Sequence, residues 1–516
     1  MTSRQRLPEP FNSLTDLSSD LLGTFVMKAS DDYFAAKENL LKPGPAVWLE
    51  DEYTDKGKWM DGWESQRRRT PGHDWAIIRL GAPGIVLGAL VDTTHFKGNA
   101  PQEAALEGIE APYTATAEAL EAMDGWFEIL PRVPIKPDFQ NAFLLEEPSD
   151  LVTHVRLRIF PDGGVARLRI WGTVSPNPYT FWRSGSVDLG AVENGGTIAA
   201  VSDEFFGPPS NMLLPGRGVN MGDGWETKRR RTPGSDWAVV RLGRRGVLDR
   251  IELDTHFFKG NAPQAVLLEA IDAEGMPAAE LDALLRAPRG WRVLVDKTKL
   301  VPHRRHQLDP LRPMPVTHVR AHIFPHGGVN RLRLYGTALE TPEEAAALVK
   351  LNTLDEKKAR ALALSFCGAE AFADAFVERR PYSSMRELFE EAAQVWWGLP
   401  QRAWLEAFAA HPRLGAKKKA ATATKKSAGW SKGEQKAIGG GEKDVLARLE
   451  KQNNAYFKKF GFIFICYASG KSAAEVLEQL DERLPRGKAA EIDTAAQEQA
   501  RITRSRIEKW LFEQLG

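Results

Sequence analysis

The clearest pattern in the chain is alternation of apolar and polar positions. Val155-Arg-Leu-Arg-Ile-Phe160 alternates, Pro161-Asp-Gly-Gly164 interrupts, and Val165-Ala-Arg-Leu-Arg-Ile-Trp171 alternates again. A period of two sends successive side chains to opposite faces of a strand. Two such runs around four turn-forming residues predict a β-hairpin. The same order of events recurs around Pro325-His-Gly-Gly328. In the hairpin register Arg158 faces Arg167 and Arg156 faces Arg169, opposite the face of Leu157, Ile159, Ala166 and Leu168; the second set is Arg320, His322, Arg331 and Arg333. Directly opposed like charges destabilise a sheet, so this face needs anionic partners. Two readings are open. Asp and Glu of neighbouring strands neutralise the arginines, or at least one arginine grips a substrate carboxylate as a planar, bidentate donor.

The recurrence is general. Residues 57–81 read GKWMDGWESQRRRTPGHDWAIIRLG and residues 219–243 read VNMGDGWETKRRRTPGSDWAVVRLG, agreeing at 16 of 25 positions. Asp92-Thr-Thr-His-Phe-Lys-Gly-Asn-Ala-Pro101 pairs with Asp254-Thr-His-Phe-Phe-Lys-Gly-Asn-Ala-Pro263, and Thr153-His-Val-Arg156 with Thr317-His-Val-Arg320. Two copies of one domain, at 1–185 and 186–340, follow. Short strands with Gly/Pro punctuation favour a sandwich or jelly roll for each. Trp75 and Trp237, at the heads of apolar runs, are expected in the cores. After Tyr335-Gly336 the spacing becomes helical. Ser472-Ala-Ala-Glu475 is a capping box, Asp493 is placed to cap a last helix through Trp510, and residues 341–516 are expected to form an all-α domain. The fold class is therefore multidomain: two all-β repeats, then a helical domain.

Composition narrows the functional classes. With 69 Lys+Arg against 68 Asp+Glu the net charge is +1, without the basic excess of a nucleic-acid or anionic-membrane binder. Lys417-Lys-Lys-Ala-Ala-Thr-Ala-Thr-Lys-Lys426 is basic but internal, and reads as a loop or as a mild attractor of an anionic substrate. The longest apolar run, Phe462 to Ala468, is far short of a membrane span. Cys367 and Cys466 make no disulfide framework, and no H-x-H or H-E-x-x-H spacing assigns a metal. With no sorting signal visible, the cytoplasm is the expected location. A homo-oligomer is compatible with the sequence.

The repeated Asp-Gly-Trp-Glu blocks, with Arg67 to Arg69 and Arg229 to Arg231 nearby, balance structural ion pairing against a shared site. Together with Asp31-Asp-Tyr-Phe34, Glu38-Asn-Leu40, HDWAIIRLG and DTTHFKGNAP, they resemble the allantoicase family over roughly residues 15–340. The resemblance implies galactose-binding-like jelly rolls and hydrolysis of allantoate to ureidoglycolate and urea. That reaction breaks a C–N bond, so it needs an acid for the departing urea and a base or positioned water. Arginine suits the carboxylate, and Asp, Glu and Asn suit the ureido N–H groups. Asp61/Asp223, Glu64/Glu226, Asp92/Asp254, Asn99/Asn261, His154/His318 and Arg156/Arg320 supply these types. Which copy holds the working pocket is open, because His95 matches Phe257 and His256 matches Thr94.

His411-Pro-Arg-Leu-Gly415, Ser431-Lys-Gly-Glu-Gln435, Asn453-Asn-Ala-Tyr456, Lys459-Phe-Gly-Phe462, Arg506 and the upstream Arg380-Pro381 resemble the decarboxylase of 2-oxo-4-hydroxy-4-carboxy-5-ureidoimidazoline (OHCU). The resemblance implies that His411 and Glu434 handle the proton, Ser431 and Gln435 bind ureido and ring carbonyls, and Arg506 holds substrate oxygens. It implies no cofactor, since the substrate's own carbonyl/imine system can delocalise the carbanion. A bifunctional purine-catabolism enzyme acting on allantoate and OHCU is the expected whole. Two rivals are that only the allantoicase half is active, with a helical scaffold, or that the β repeats are carbohydrate-binding modules whose tryptophans stack on sugars.

Overall fold

The computed structural model describes residues 14–183, 185–412, 443–469 and 471–515. The chain divides into two compact units. One comprises residues up to 110, 125–181 and 185–339; the other comprises 111–124, 182–184 and 340 onward. The first unit is built of β-sheets and the second of helices, in the order that the patterning predicts.

Each repeat is an eight-stranded antiparallel sheet organised around one 19-residue strand, Asp74–Asp92 in the first and Asp236–Asp254 in the second. The first half of Asp74–Asp92 pairs with Phe25–Ala29 and Leu151–Phe160; the second half pairs with Gln140–Leu144 and Arg167–Val174. The register slips between Val152 and His154, a bulge of the kind that bends a strand. Ile78, Leu80, Val86, Val91, Leu106, Val155, Leu157 and Leu168 fill the core beneath.

The predicted hairpin does not form. Arg158 stands opposite Trp75 and Ala105, whereas Arg167 stands opposite Asp92. Alternation reports which face a residue occupies and says nothing of its partner strand. The Pro-Asp-Gly-Gly segment instead leads into a separate short pairing, in which Gly164 and Val165 face Glu64 and Trp63. Its last glycine is required by packing, because a Cβ on Gly164 would lie 1.9 Å from the Phe96 ring, and one on Gly328 would lie 1.9 Å from the ring of Phe258.

The tryptophan expectation is corrected for Trp75 and met in part by Trp237, which packs against the apolar cluster of Ala200, Val239, Ile271, Ala273 and Leu285. Trp63 and Trp225 are the fully buried pair, while Trp75 and Trp237 are only half-buried. Trp75 pairs with Arg158 and Trp237 with His322, so both share the charged face. The indole N–H of Trp63 donates to Asp31 O at 2.8 Å, as that of Trp225 does to Asp203 O at 2.8 Å.

In the helical unit Thr341 caps Pro342–Asn352 and Ser472 caps Ala473–Arg483, each with a reciprocal capping box. The last helix is Lys488–Leu515, so Asp493 lies inside its second turn rather than at its cap. Lys488-Ala-Ala-Glu491 are good helix formers with no breaker after Gly487, and the helix starts there. Both cysteines are free and buried. Among the described residues no helix is long and apolar enough to cross a membrane.

Candidate functional site

The repeated blocks converge on Glu64. Its strand, Trp63–Glu64, pairs with Gly164–Val165. The N–H of Gly164 donates to Asn99 O at 2.8 Å, and Asn99 Nδ2 donates to Glu64 Oε1 at 2.7 Å. The second repeat reproduces this junction: Gly328 N–H to Asn261 O at 2.9 Å, and Asn261 Nδ2 to Glu226 Oε1 at 2.5 Å. Burial holds the Glu64 carboxyl above its ordinary pKa, against the pull of the Asn99 hydrogen bond.

Above Glu64 lies a cavity of about 340 Å³, lined among others by Trp48, Lys56, His95, Lys97 and Asn99. Much of its wall has no counterpart in the second repeat. Val47 N–H donates to Asp61 Oδ2 at 3.0 Å, and Val219 N–H donates to Asp223 Oδ2 at 2.5 Å. These matching positions are 172 apart at Val47/Val219 and 162 apart at Asp61/Asp223, so the first repeat carries ten extra residues between them. They form a loop and a small hairpin, Tyr53–Thr54 with Gly57–Lys58. Lys58 fastens it: the ammonium donates to Leu49 O at 2.7 Å and to Glu50 O, and sits 4.9 Å from the Trp48 ring and 4.7 Å from the Tyr53 ring.

His95 occupies the left-handed region, φ 73°, with its N–H bonded to Asp138 Oδ1 at 2.8 Å. Its ring lies 5.6 Å from that of Trp48, and Nε2 is 3.4 Å from Ala46 O. Phe257 takes the same backbone conformation, φ 67°, in the second repeat. There His256 stacks on His303 at 4.5 Å, and Arg217 pairs with the buried Asp254 at 2.8 Å. The junction is kept in both repeats, and the rim differs.

The other expected site residues are brought elsewhere. Asp61 is buried against Arg167 at 2.5 Å and Lys42 at 3.0 Å. Burial alone would raise its pKa, but the hydrogen bonds from Arg167, Lys42 and Val47 N–H hold it below the ordinary value. Asp223 instead closes a capping box with Asn220. Arg156 and Arg158 share Glu107 at 2.7 and 2.8 Å, and Arg320 and His322 share Glu269 at 2.6 and 3.0 Å. Arg156 also lies 4.4 Å over Trp126, and Arg320 4.3 Å over Trp291. Neighbouring-strand carboxylates thus hold Arg156, Arg158 and Arg320, Arg331 donates to the carbonyls of Asp223 and Asn330, and none of these arginines lines the cavity. His154 and His318 are buried within their strands, each with Nδ1 2.9 Å from the preceding threonine hydroxyl. Burial, then a nearby arginine (Arg79 and Arg241 respectively), lowers each pKa to about 4. The Arg67–Arg69 run is partly structural: Arg68 pairs with Asp74 at 2.7 Å and Arg230 with Asp236 at 2.6 Å.

In the helical unit His411 follows the helix Gln401–Ala409, and its Nε2 lies 2.8 Å from Gln499 Oε1. Gln499, Thr503 and Arg506 share the buried face of the last helix at i, i+4 and i+7. That spacing was available to sequence reasoning, which singled out Arg506 alone. Ser431, Glu434, Gln435 and the Lys417–Lys426 run lie outside the described residues. Tyr456 and Arg483 both bond the fully buried Glu491 and build the core. Arg380 donates to Leu351 O and Leu354 O at 3.0 and 2.8 Å, which closes a helix end. Among the described residues no group of three His, Cys, Asp or Glu side chains could hold a metal ion.

A family model for the allantoicase repeat matches residues 15–175 and 187–339. The chain belongs to the allantoicase family. A second model, OHCU decarboxylase, matches residues 352–508, so a C-terminal OHCU decarboxylase domain follows the allantoicase repeats. Probable allantoicase 1 of Burkholderia mallei is 43% identical over 336 residues, covering 64% of this chain and 96% of that one. The probable allantoicase of Stutzerimonas stutzeri is 44% identical over 339 residues, covering 64% and 98%. The crystal structure of allantoicase from Saccharomyces cerevisiae is 34% identical with a TM-score of 0.53, covering 63% of this chain and 93% of that chain. The chain therefore joins a hydrolase of the allantoicase family to a lyase domain of purine catabolism.

Proposed function

We propose that the first repeat's cavity hydrolyses allantoate to ureidoglycolate and urea. The observation that carries this reading is a half-buried carboxyl, Glu64, at the floor of a cavity lined by His95, Asn99 and three lysines. Burial raises its pKa, which favours the protonated form that the departing urea nitrogen needs. His95 takes a proton from water, whose hydroxyl joins the central carbon as the C–N bond breaks. Lys56 and Lys97 draw in the carboxylate, and Asn99 holds Glu64 in place. The lysines replace the arginines as carboxylate partners because Arg156, Arg158 and Arg320 are already held by Glu107 and Glu269.

The C-terminal domain decarboxylates OHCU to (S)-allantoin, with His411 and Glu434 handling the proton, Ser431 and Gln435 binding carbonyls and Arg506 holding oxygens. Functional boundaries fall at 1–185, 186–340 and 341–516. The partners are these two small molecules, with neither nucleic acid nor a membrane, and the cytoplasm is the site of action. The test assays the full chain for urea release from allantoate and for CO₂ release from OHCU. Glu64→Gln must abolish the first while leaving the second; loss of neither would overturn the assignment of the cavity.

A further inference from the structure

The last helix carries a buried polar chain that the roles above do not use. Gln499 is fully buried and Thr503 is 4% exposed. His411 Nε2 meets Gln499 Oε1 at 2.8 Å, and Gln499 Nε2 donates to Thr503 Oγ1 at 3.2 Å. Thr503 in turn hydrogen-bonds Cys367, whose thiol burial pushes up to about 12, so it stays protonated and neutral. Gln499 Nε2 is the donor to Thr503 Oγ1, so the amide presents its NH₂ to Thr503 and its carbonyl to His411. A carbonyl only accepts. The imidazole nitrogen facing it therefore carries the proton, and the other nitrogen is the basic one.

We infer that Gln499 is a positioning residue that holds His411 as the Nε2–H tautomer and leaves Nδ1 to exchange the proton in decarboxylation. This rests on His411 being the proton-handling side chain, as proposed above. An amide suits this position because it does not titrate: the lock is the same at every working pH, whereas a carboxylate there would raise the basicity of the ring.

The test uses the full chain labelled with ¹⁵N-histidine, the His411 signals being identified by their loss in His411→Gln. The expected spectrum of neutral His411 shows a protonated Nε2 and an unprotonated Nδ1, and Gln499→Met converts it to a tautomer mixture. In kinetics, Gln499→Met lowers kcat for decarboxylation at least tenfold with KM little changed. Gln499→Glu moves the acid limb of kcat/KM upward by about 1 to 3 pH units, with melting temperature as the folding control. Thr503→Val, which removes the acceptor that orients the amide, shifts the tautomer signals in the direction of Gln499→Met. A protonated Nδ1 in the unmodified chain, or a Gln499→Glu profile that superimposes on it, overturns the inference. Decarboxylation that survives His411→Gln overturns instead the reading of the site on which it rests. If Gln499→Glu does not fold, the tautomer spectrum of the unmodified chain decides alone.

Discussion

Asn99 donates to Glu64 at 2.7 Å while its own carbonyl accepts from Gly164 at 2.8 Å. One residue thus ties together three segments that are distant in sequence, and Asn261 does the same for Glu226 and Gly328. Repetition of the motifs follows from this shared joint, whether or not both copies react. Catalytic asymmetry then has to come from what surrounds the joint.

Glu64→Gln is expected to lower urea release at least ~10²-fold, the range for loss of a general acid. Glu226→Gln, in the repeat without the inserted wall, should leave most of the rate. Steady-state urea assays on both variants decide between one working cavity and two.

The inserted hairpin predicts a binding effect. Replacing residues 49–58 by a short glycine linker removes Lys56 and the fastening of Trp48, and should raise KM for allantoate more than it lowers kcat. Removal of Lys97 alone should raise KM most at low ionic strength. A KM unmoved by either change would place the substrate elsewhere.

Asp61 and Asp223 are expected to differ in stability rather than in chemistry. Asp61→Ala leaves Arg167 buried without its carboxylate and should cost about 3–5 kcal/mol. Asp223→Ala removes a cap from an exposed turn and should cost about 1 kcal/mol. Urea denaturation followed by tryptophan fluorescence measures both.

His154 and His318 make the β unit sensitive to acid. With folded pKa values lowered to about 4 against about 6.5 when unfolded, the unfolded chain binds more protons between these limits. Stability is therefore unaffected above about pH 6.5 and falls as pH drops toward 4. At pH 5 the loss amounts to about 2 kcal/mol per histidine. The double variant His154→Gln/His318→Gln should show a flatter dependence of unfolding free energy on pH between 7.5 and 5.

The two halves are expected to act independently. His411→Ala should abolish decarboxylation and leave urea release intact, so loss of both activities would require coupled sites.

The architecture was legible in the sequence because a duplicated block and a switch of period are strong, local signals. Strand partners were not. A 19-residue strand that trades neighbours half-way leaves no trace in alternation, and Gly164 reads as a turn glycine although it makes room for Phe96. The arginine-rich face drew attention for its charge, yet Glu107 and Glu269, each bonded to two basic side chains, are unremarkable in their own strands. Glu64 was legible as a candidate. Its distinction from Glu226 depends on ten residues present in one copy, which matter only once the fold carries them over the carboxylate.

Because the joint beneath each rim is built from backbone bonds and one amide, the second repeat offers the same foundation under a different superstructure of His256, His303 and Arg217. Transplanting the segment Trp48–Met60 in place of Asn220–Gly222, together with Phe257→His, is a direct route to a chain with two reaction chambers.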